Sequence, residues 1–158
     1  MSLAGNIPRE LYTLFIAMLP VSELRGAIPY ALSSGLSWQQ SYFWAVIGNF
    51  IPVIPLLLFL GPLSKALSRR FVLWQRFFDW LFARTRRRGK IVERYEAIGL
   101  VLFVAIPLPI TGAWTGTVAA FLFGVRFRYA LPAIILGILL AGTVVTLASK
   151  GVISLWAL

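Results

Sequence analysis

Two apolar stretches of this chain, residues 11–33 and 98–124, are long enough to cross a bilayer, yet both are broken near the middle. The first carries Pro20, Gly26 and Pro29, with Glu23 and Arg25 between them. The second carries Pro107 and Pro109, followed by Thr111, Gly112, Thr115 and Gly116. Proline removes a backbone donor and clashes with the preceding turn, so each stretch is expected to split into two half-helices around its centre. Two further stretches, 42–63 and 129–148, read as plain spans of the roughly 20 residues a bilayer requires, the first kinked at Pro52 and Pro55.

Composition identifies the solvent. Of 158 residues, 59% are hydrophobic and 13% charged, against roughly 45–50% and about 25% in soluble domains. A core this small cannot hide that surplus, so lipid must face it. One membrane domain is expected over 1–158, with repeat 1 at about 9–63, a linker at 64–95 and repeat 2 at about 96–150. The net charge is +10, and ten of the fifteen Lys and Arg fall between Lys65 and Arg94. Basic loops beside spans are normally cytoplasmic, so the linker is expected inside a cell (plasma or inner) membrane, and nucleic acid is not an expected partner. The chain has no cysteine and no histidine, which removes thiolate chemistry, disulfides and the commonest base and metal ligand. Residues 11–19 lack a clean basic flank and a small-residue cleavage site, and are expected to be retained.

An internal repeat supports the broken helices. An offset of 89 residues lays Pro20 on Pro109, Ser22 on Thr111, Ala31 on Ala120, Gly35 on Gly124, Trp38 on Phe127 and Gly48 on Gly137. Weak repeats that pair broken helices point to a transporter's binding site. If the broken stretches are re-entrant hairpins, the repeats are inverted; if all four stretches cross, they are parallel. Basic-residue counts are equal for the two topologies, and the prolines with the mid-segment charges favour hairpins. Between the halves, Leu67, Phe71, Trp74, Phe78 and Leu81 recur at helical spacing with Arg69, Arg76 and Asp79 opposite. That pattern suits an amphipathic helix lying in the headgroup layer or on the protein's own surface.

Glu23 is the one acidic residue within an apolar stretch, and Arg25 follows two positions later. Ionisable groups at bilayer depth pair, or line a polar path. Gly112, Gly116, Ala120 and Gly124 recur every four residues, matched in the first repeat by Glu23, Ala27, Ala31 and Gly35. Two such small-residue stripes are expected to pack together, which would bring the carboxylate to the backbone around Thr111–Gly116. A buried pair that only pins the hairpin, and close packing without a site, are the plainer readings.

The run Leu19-Pro20-Val21-Ser22-Glu23-Leu24-Arg25-Gly26-Ala27-Ile28-Pro29 and the run from Pro107 to Gly116 resemble the small multidrug export proteins. More distantly, Pro20-Val21-Ser22-Glu23 is similar to the acidic signature of DedA-like (VTT-domain) membrane proteins. The resemblance implies two inverted re-entrant hairpins and proton-coupled transport, with Glu23 at the DedA acidic position. A second acidic residue and the hairpin arginine of that superfamily have no counterpart, the stretch around Thr111 and Trp114 standing in the arginine's place.

The expected fold is therefore an all-α integral membrane protein, each re-entrant hairpin followed by a transmembrane helix. The expected function is secondary transport of an amphipathic substrate with an anionic, lipid-phosphate-like headgroup. Glu23 would titrate, while Arg25 and half-helix N-termini around Pro29 and Thr111 would supply positive potential. Proton-coupled export of lipophilic cations, with Trp44 and Trp114 as aromatic walls, is the alternative. A scaffolding protein would not need Glu23, and an enzyme would need a richer catalytic set. Expected partners are membrane lipids, a small amphipathic substrate, protons and further copies of the chain; no cofactor or metal is expected.

Overall fold

The computed structural model describes residues 7–68, 90–107 and 111–156, together with residues 72, 73, 75, 76, 79, 80 and 83. Its elements are all helices: α1 (Arg9–Met18), α2 (Glu23–Ser33), α3 (Trp38–Phe50), α4 (Val53–Ser68), α5 (Lys90–Ala105), α6 (Ala113–Phe123) and α7 (Phe127–Trp156). Phe71, Trp74, Phe78 and Leu81 of the expected amphipathic stripe lie outside the described residues.

Proline sets the main breaks. Leu19 is extended, with φ −74° and ψ 135°, the conformation that a following proline imposes, and α1 stops there. α5 likewise stops just short of Pro107. In the first span only Ile51 and Pro52 separate α3 from α4, and Ile51 keeps helical φ and ψ, so residues 38–66 form one apolar rod. Pro29 departs from expectation: it lies inside α2, and the half-helix N-terminus sits at Glu23 instead. The chain has already broken at Pro20, and a second proline costs one hydrogen bond and a bend that neighbouring helices absorb.

The hairpins end alike. Gly35 and Gly124 adopt φ of +93° and +70°, a region open to glycine at little cost. Leu36 N–H then donates to the Ala31 carbonyl and Val125 N–H to the Ala120 carbonyl, the six-to-one bond of a Schellman stop. Those bonds are related by the offset of the sequence repeat. Ser37 next caps α3 in a reciprocal pair with Gln40.

Packing recurs in the same way. α1 and α2 pack on each other and on α3, as α5 and α6 do on α7. A Cβ on Gly48 would run into the Leu14 carbonyl and Ala17 of α1, and one on Gly137 would meet Val104 and the Val101 carbonyl of α5. Each glycine thus lets the first helix of its half lie close against the long helix. The long helices themselves run in opposite directions. Lys150 covers the Trp38 ring, Tyr42 Oη donates to the Leu139 carbonyl, and Phe50 lies beside Ile135 and Ile138.

Two helices of 29 residues, Trp38–Ala66 and Phe127–Leu155, have the length and apolarity of membrane spans. At 1.5 Å per residue each reaches about 43 Å, beyond a hydrocarbon core of about 30 Å. Phe15, Leu58, Phe59, Leu136, Leu140 and Leu147 stand exposed on these and neighbouring helices, a surface that only lipid would leave at no cost. This is a membrane protein.

Candidate functional site

Helix α6 begins without a cap of its own. Its first four N–H groups need acceptors, and Gly112, at the N-cap position, has no side chain to offer one. Glu23 supplies it from the other half of the molecule. Its carboxylate accepts from the Trp114 N–H at 3.2 Å and also takes the Ala113 N–H. A Cβ on Gly112 would overlap that carboxylate, so the missing side chain is the space in which Glu23 sits. A negative group there also meets the positive end of the α6 dipole.

The position is costly to build. Glu23 is 7% exposed and carries φ +42°, the one positive φ outside glycine among the described residues. A non-glycine residue in that region costs roughly 1–3 kcal/mol and persists only where surrounding contacts enforce it. Two further bonds cross the same junction, and a third stays within the second half. Arg25 Nη2 donates to the Thr111 carbonyl. The Trp114 indole N–H donates to the Met18 carbonyl at 3.0 Å, satisfying an acceptor left open where α1 stops. The Thr111 hydroxyl donates to the Ile106 carbonyl, closing the second break on itself.

The structure thus brings Glu23, Arg25, Thr111, Gly112 and Trp114 together. Pro29 lies within α2 rather than at the junction. Thr115 is exposed, with its hydroxyl turned back to the Gly112 carbonyl. Gly116 faces Val104 and Leu100 of α5. The two small-residue stripes do not pack along each other, which corrects that expectation. Ala27 and Ala31 are buried on α2, which packs on α1, α3 and α7. Gly116 and Ala120 serve α6, which packs on α4, α5 and α7. A stripe of small residues permits close approach to whichever helix is nearest, and here that helix belongs mostly to its own half.

Asn49 is the site residue that sequence reasoning missed. It is 1% exposed on α3 and lines, with Glu23, Arg25, Thr111 and Gly112, a cavity of about 10 Å³, the space of a single water. The signal was present as the only amide within the apolar run 42–63, but a lone Asn matches no motif. Ala141 and Val145 of α7 close the cavity, so the junction lies near the middle of both spans.

A larger crevice of about 500 Å³ opens between α5 and α6. Leu100, Phe103, Ala119, Ala120, Phe123 and Val125 line it, with Glu96 the one charged residue among the described ones. In the first half, Arg9 of α1 donates to the Ser34 carbonyl at the end of α2 and joins the outer ends of those two helices.

The sequence profile of the family described as "putative small multi-drug export protein" matches residues 23–144. No curated protein and no solved structure matches the chain.

Proposed function

We propose that this chain, which belongs to the small multi-drug export protein family, is a proton-coupled secondary exporter of lipophilic cations, with Glu23 as the group that carries the proton. The observation behind this reading is the seat of the Glu23 carboxylate, buried at mid-span on the first turn of a helix from the other half. Ionisable residues at that depth mark proton and substrate paths. That helix, α6, also forms one wall of the apolar crevice. Protonation would remove the charge that the α6 N-terminus holds, and so loosen the wall of the crevice. A proton and a substrate would then compete through a single movable element.

The crevice favours a lipophilic cation. Two phenylalanines and a carboxylate are its features other than aliphatic surface, and none of its described lining residues is basic. A substrate with an anionic headgroup is the second reading, favoured by Arg25, whose guanidinium reaches the cavity beside Glu23. In both readings the two broken stretches are re-entrant hairpins of an inverted repeat, a plan of DedA-like character. Antiparallel α3 and α7, and the meeting of the two breaks, support that plan. The basic linker then lies on the cytoplasmic side of the cell membrane.

Proteoliposomes loaded with a lipophilic cationic dye test the proposal. An imposed pH gradient should drive dye movement by the wild-type protein, and Glu23→Gln should abolish the pH-driven component while remaining folded. Equal pH-driven flux in both would remove Glu23 from the coupling.

A further inference from the structure

Seven polar or charged side chains are buried among the described residues. Five are hydroxyls, and each satisfies itself locally: Thr13, Ser41, Ser64, Thr117 and Thr146 donate to carbonyls three or four residues back on their own helices. Such bonds fit polar residues to an apolar medium without any partner. Glu23 is held by the α6 N-terminus. Asn49 differs, because its Oδ1 is buried and has no hydrogen-bond donor. A buried acceptor without a donor is expensive, and an apolar residue of the same size would be at least as stable in that place. A donor that comes and goes accounts for an amide in that place.

We propose that Asn49 completes the proton site: its Oδ1 accepts, directly or through one water, the hydrogen bond that Glu23 donates when neutral. The proposal rests on the reading of Glu23 as the proton carrier and names its acceptor. Asn49 and Glu23 line the same small cavity, and among the described residues no donor there reaches Asn49 Oδ1. The Ala113 and Trp114 N–H groups go to the Glu23 carboxylate, and Arg25 goes to the Thr111 carbonyl. Among the described residues Arg25 is the one charged group acting on Glu23, and α1, α3 and α7, the helices packed on α2, put no ionisable side chain on the cavity. A carboxylate can only accept, whereas a neutral carboxyl has one O–H to give. In the charged state Glu23 binds α6 and Asn49 is unsatisfied; in the neutral state the proton turns toward Asn49 on α3, and the hold on α6 weakens. Asn49 thus acts as a positioning residue that couples the proton to the contact between α2 and α6.

Infrared titration of the full-length chain in lipid nanodiscs tests this. The band lost in Glu23→Gln identifies the carbonyl stretch of neutral Glu23. In Asn49→Leu the ratio of neutral to charged Glu23 at a fixed pH should fall about three- to tenfold, the worth of one hydrogen bond, and the band should move to higher wavenumber. Thermal stability should be unchanged or higher, which a purely structural asparagine would not allow. A folded Asn49→Leu protein that titrates as the wild type does, with an unshifted band, overturns the inference and leaves the role of Glu23 standing. Absence of any Glu23 band at every pH overturns both. Should Asn49→Leu fail to fold, Asn49→Thr and its isostere Asn49→Val replace it, since they differ only in the acceptor; identical titration of that pair would also overturn it.

Discussion

Glu23 and Arg25 lie two residues apart, and the simplest expectation for such a pair is that each neutralises the other. Instead each reaches across to the second half of the molecule, Glu23 to the first turn of α6 and Arg25 to the Thr111 carbonyl. Residues two apart on a helix face different ways, which leaves both free to find partners elsewhere. Two variants separate the consequences. Gly112→Ala should displace the carboxylate, because its Cβ would overlap Glu23 while the extended backbone at φ 167° accepts any residue. The expected cost is about 1–3 kcal/mol of overpacking, read as a fall in melting temperature. Gly61→Ala, whose Cβ would meet nothing within 4 Å, should be neutral or slightly stabilising in the same assay. Arg25→Ala separates the substrate readings. Cation export should persist in the folded variant, whereas transport of a phosphorylated lipid, if that is the substrate, should fall sharply once the half-buried cation is gone. Loss of cation export with retained fold would count against the crevice reading.

At the scale of elements, the breaks were legible and the neighbours were not. Pro20 and Pro107 announce the ends of α1 and α5, because proline acts on the chain around it regardless of what lies beyond. Gly35 and Gly124 announce the ends of α2 and α6 for the same local reason. The glycine at position 116 shows where such reading stops. Its spacing with Gly112 and Ala120 marks a face that approaches another helix closely, but spacing does not name the other helix, and that helix is α5. Asn49 shows a different limit, since its meaning depends on a cavity assembled from five separate segments. The assignment of Gly116 gives a direct prediction. Gly116→Leu should force Val104 away and part α5 from α6, with a loss larger than that of Phe59→Ala, which removes a side chain 67% exposed on α4. Comparable thermal shifts for the two would mean that α5 and α6 are not held by that contact.

The whole molecule is organised by the reversal of its two long helices. Trp38, at the start of α3, lies by Lys150 near the end of α7, and Tyr42 bonds to the Leu139 carbonyl. The starts of the two long helices therefore lie at opposite ends of the bundle. Each long helix carries its own hairpin, and the turn after α1 meets the start of α6 where Trp114 donates to Met18. If both hairpins were full crossings, α3 and α7 would run the same way through the membrane. The start of α3 and the end of α7 would then lie on opposite sides. With re-entrant hairpins, as proposed above, they share one side, which agrees with the contact between Trp38 and Lys150. The chain has no cysteine, so single cysteines report sidedness against an empty background. Gln39→Cys and Ser154→Cys should react with an impermeant thiol reagent from the same, non-cytoplasmic face. Lys65→Cys and Arg128→Cys should react from the cytoplasmic face, where positive residues are retained. Four full crossings would instead move Ser154→Cys to the cytoplasmic side and Arg128→Cys to the outside. That exchange of two labels is the outcome that would sink the inverted arrangement, and with it the meeting of Glu23 and α6 at the centre of the membrane.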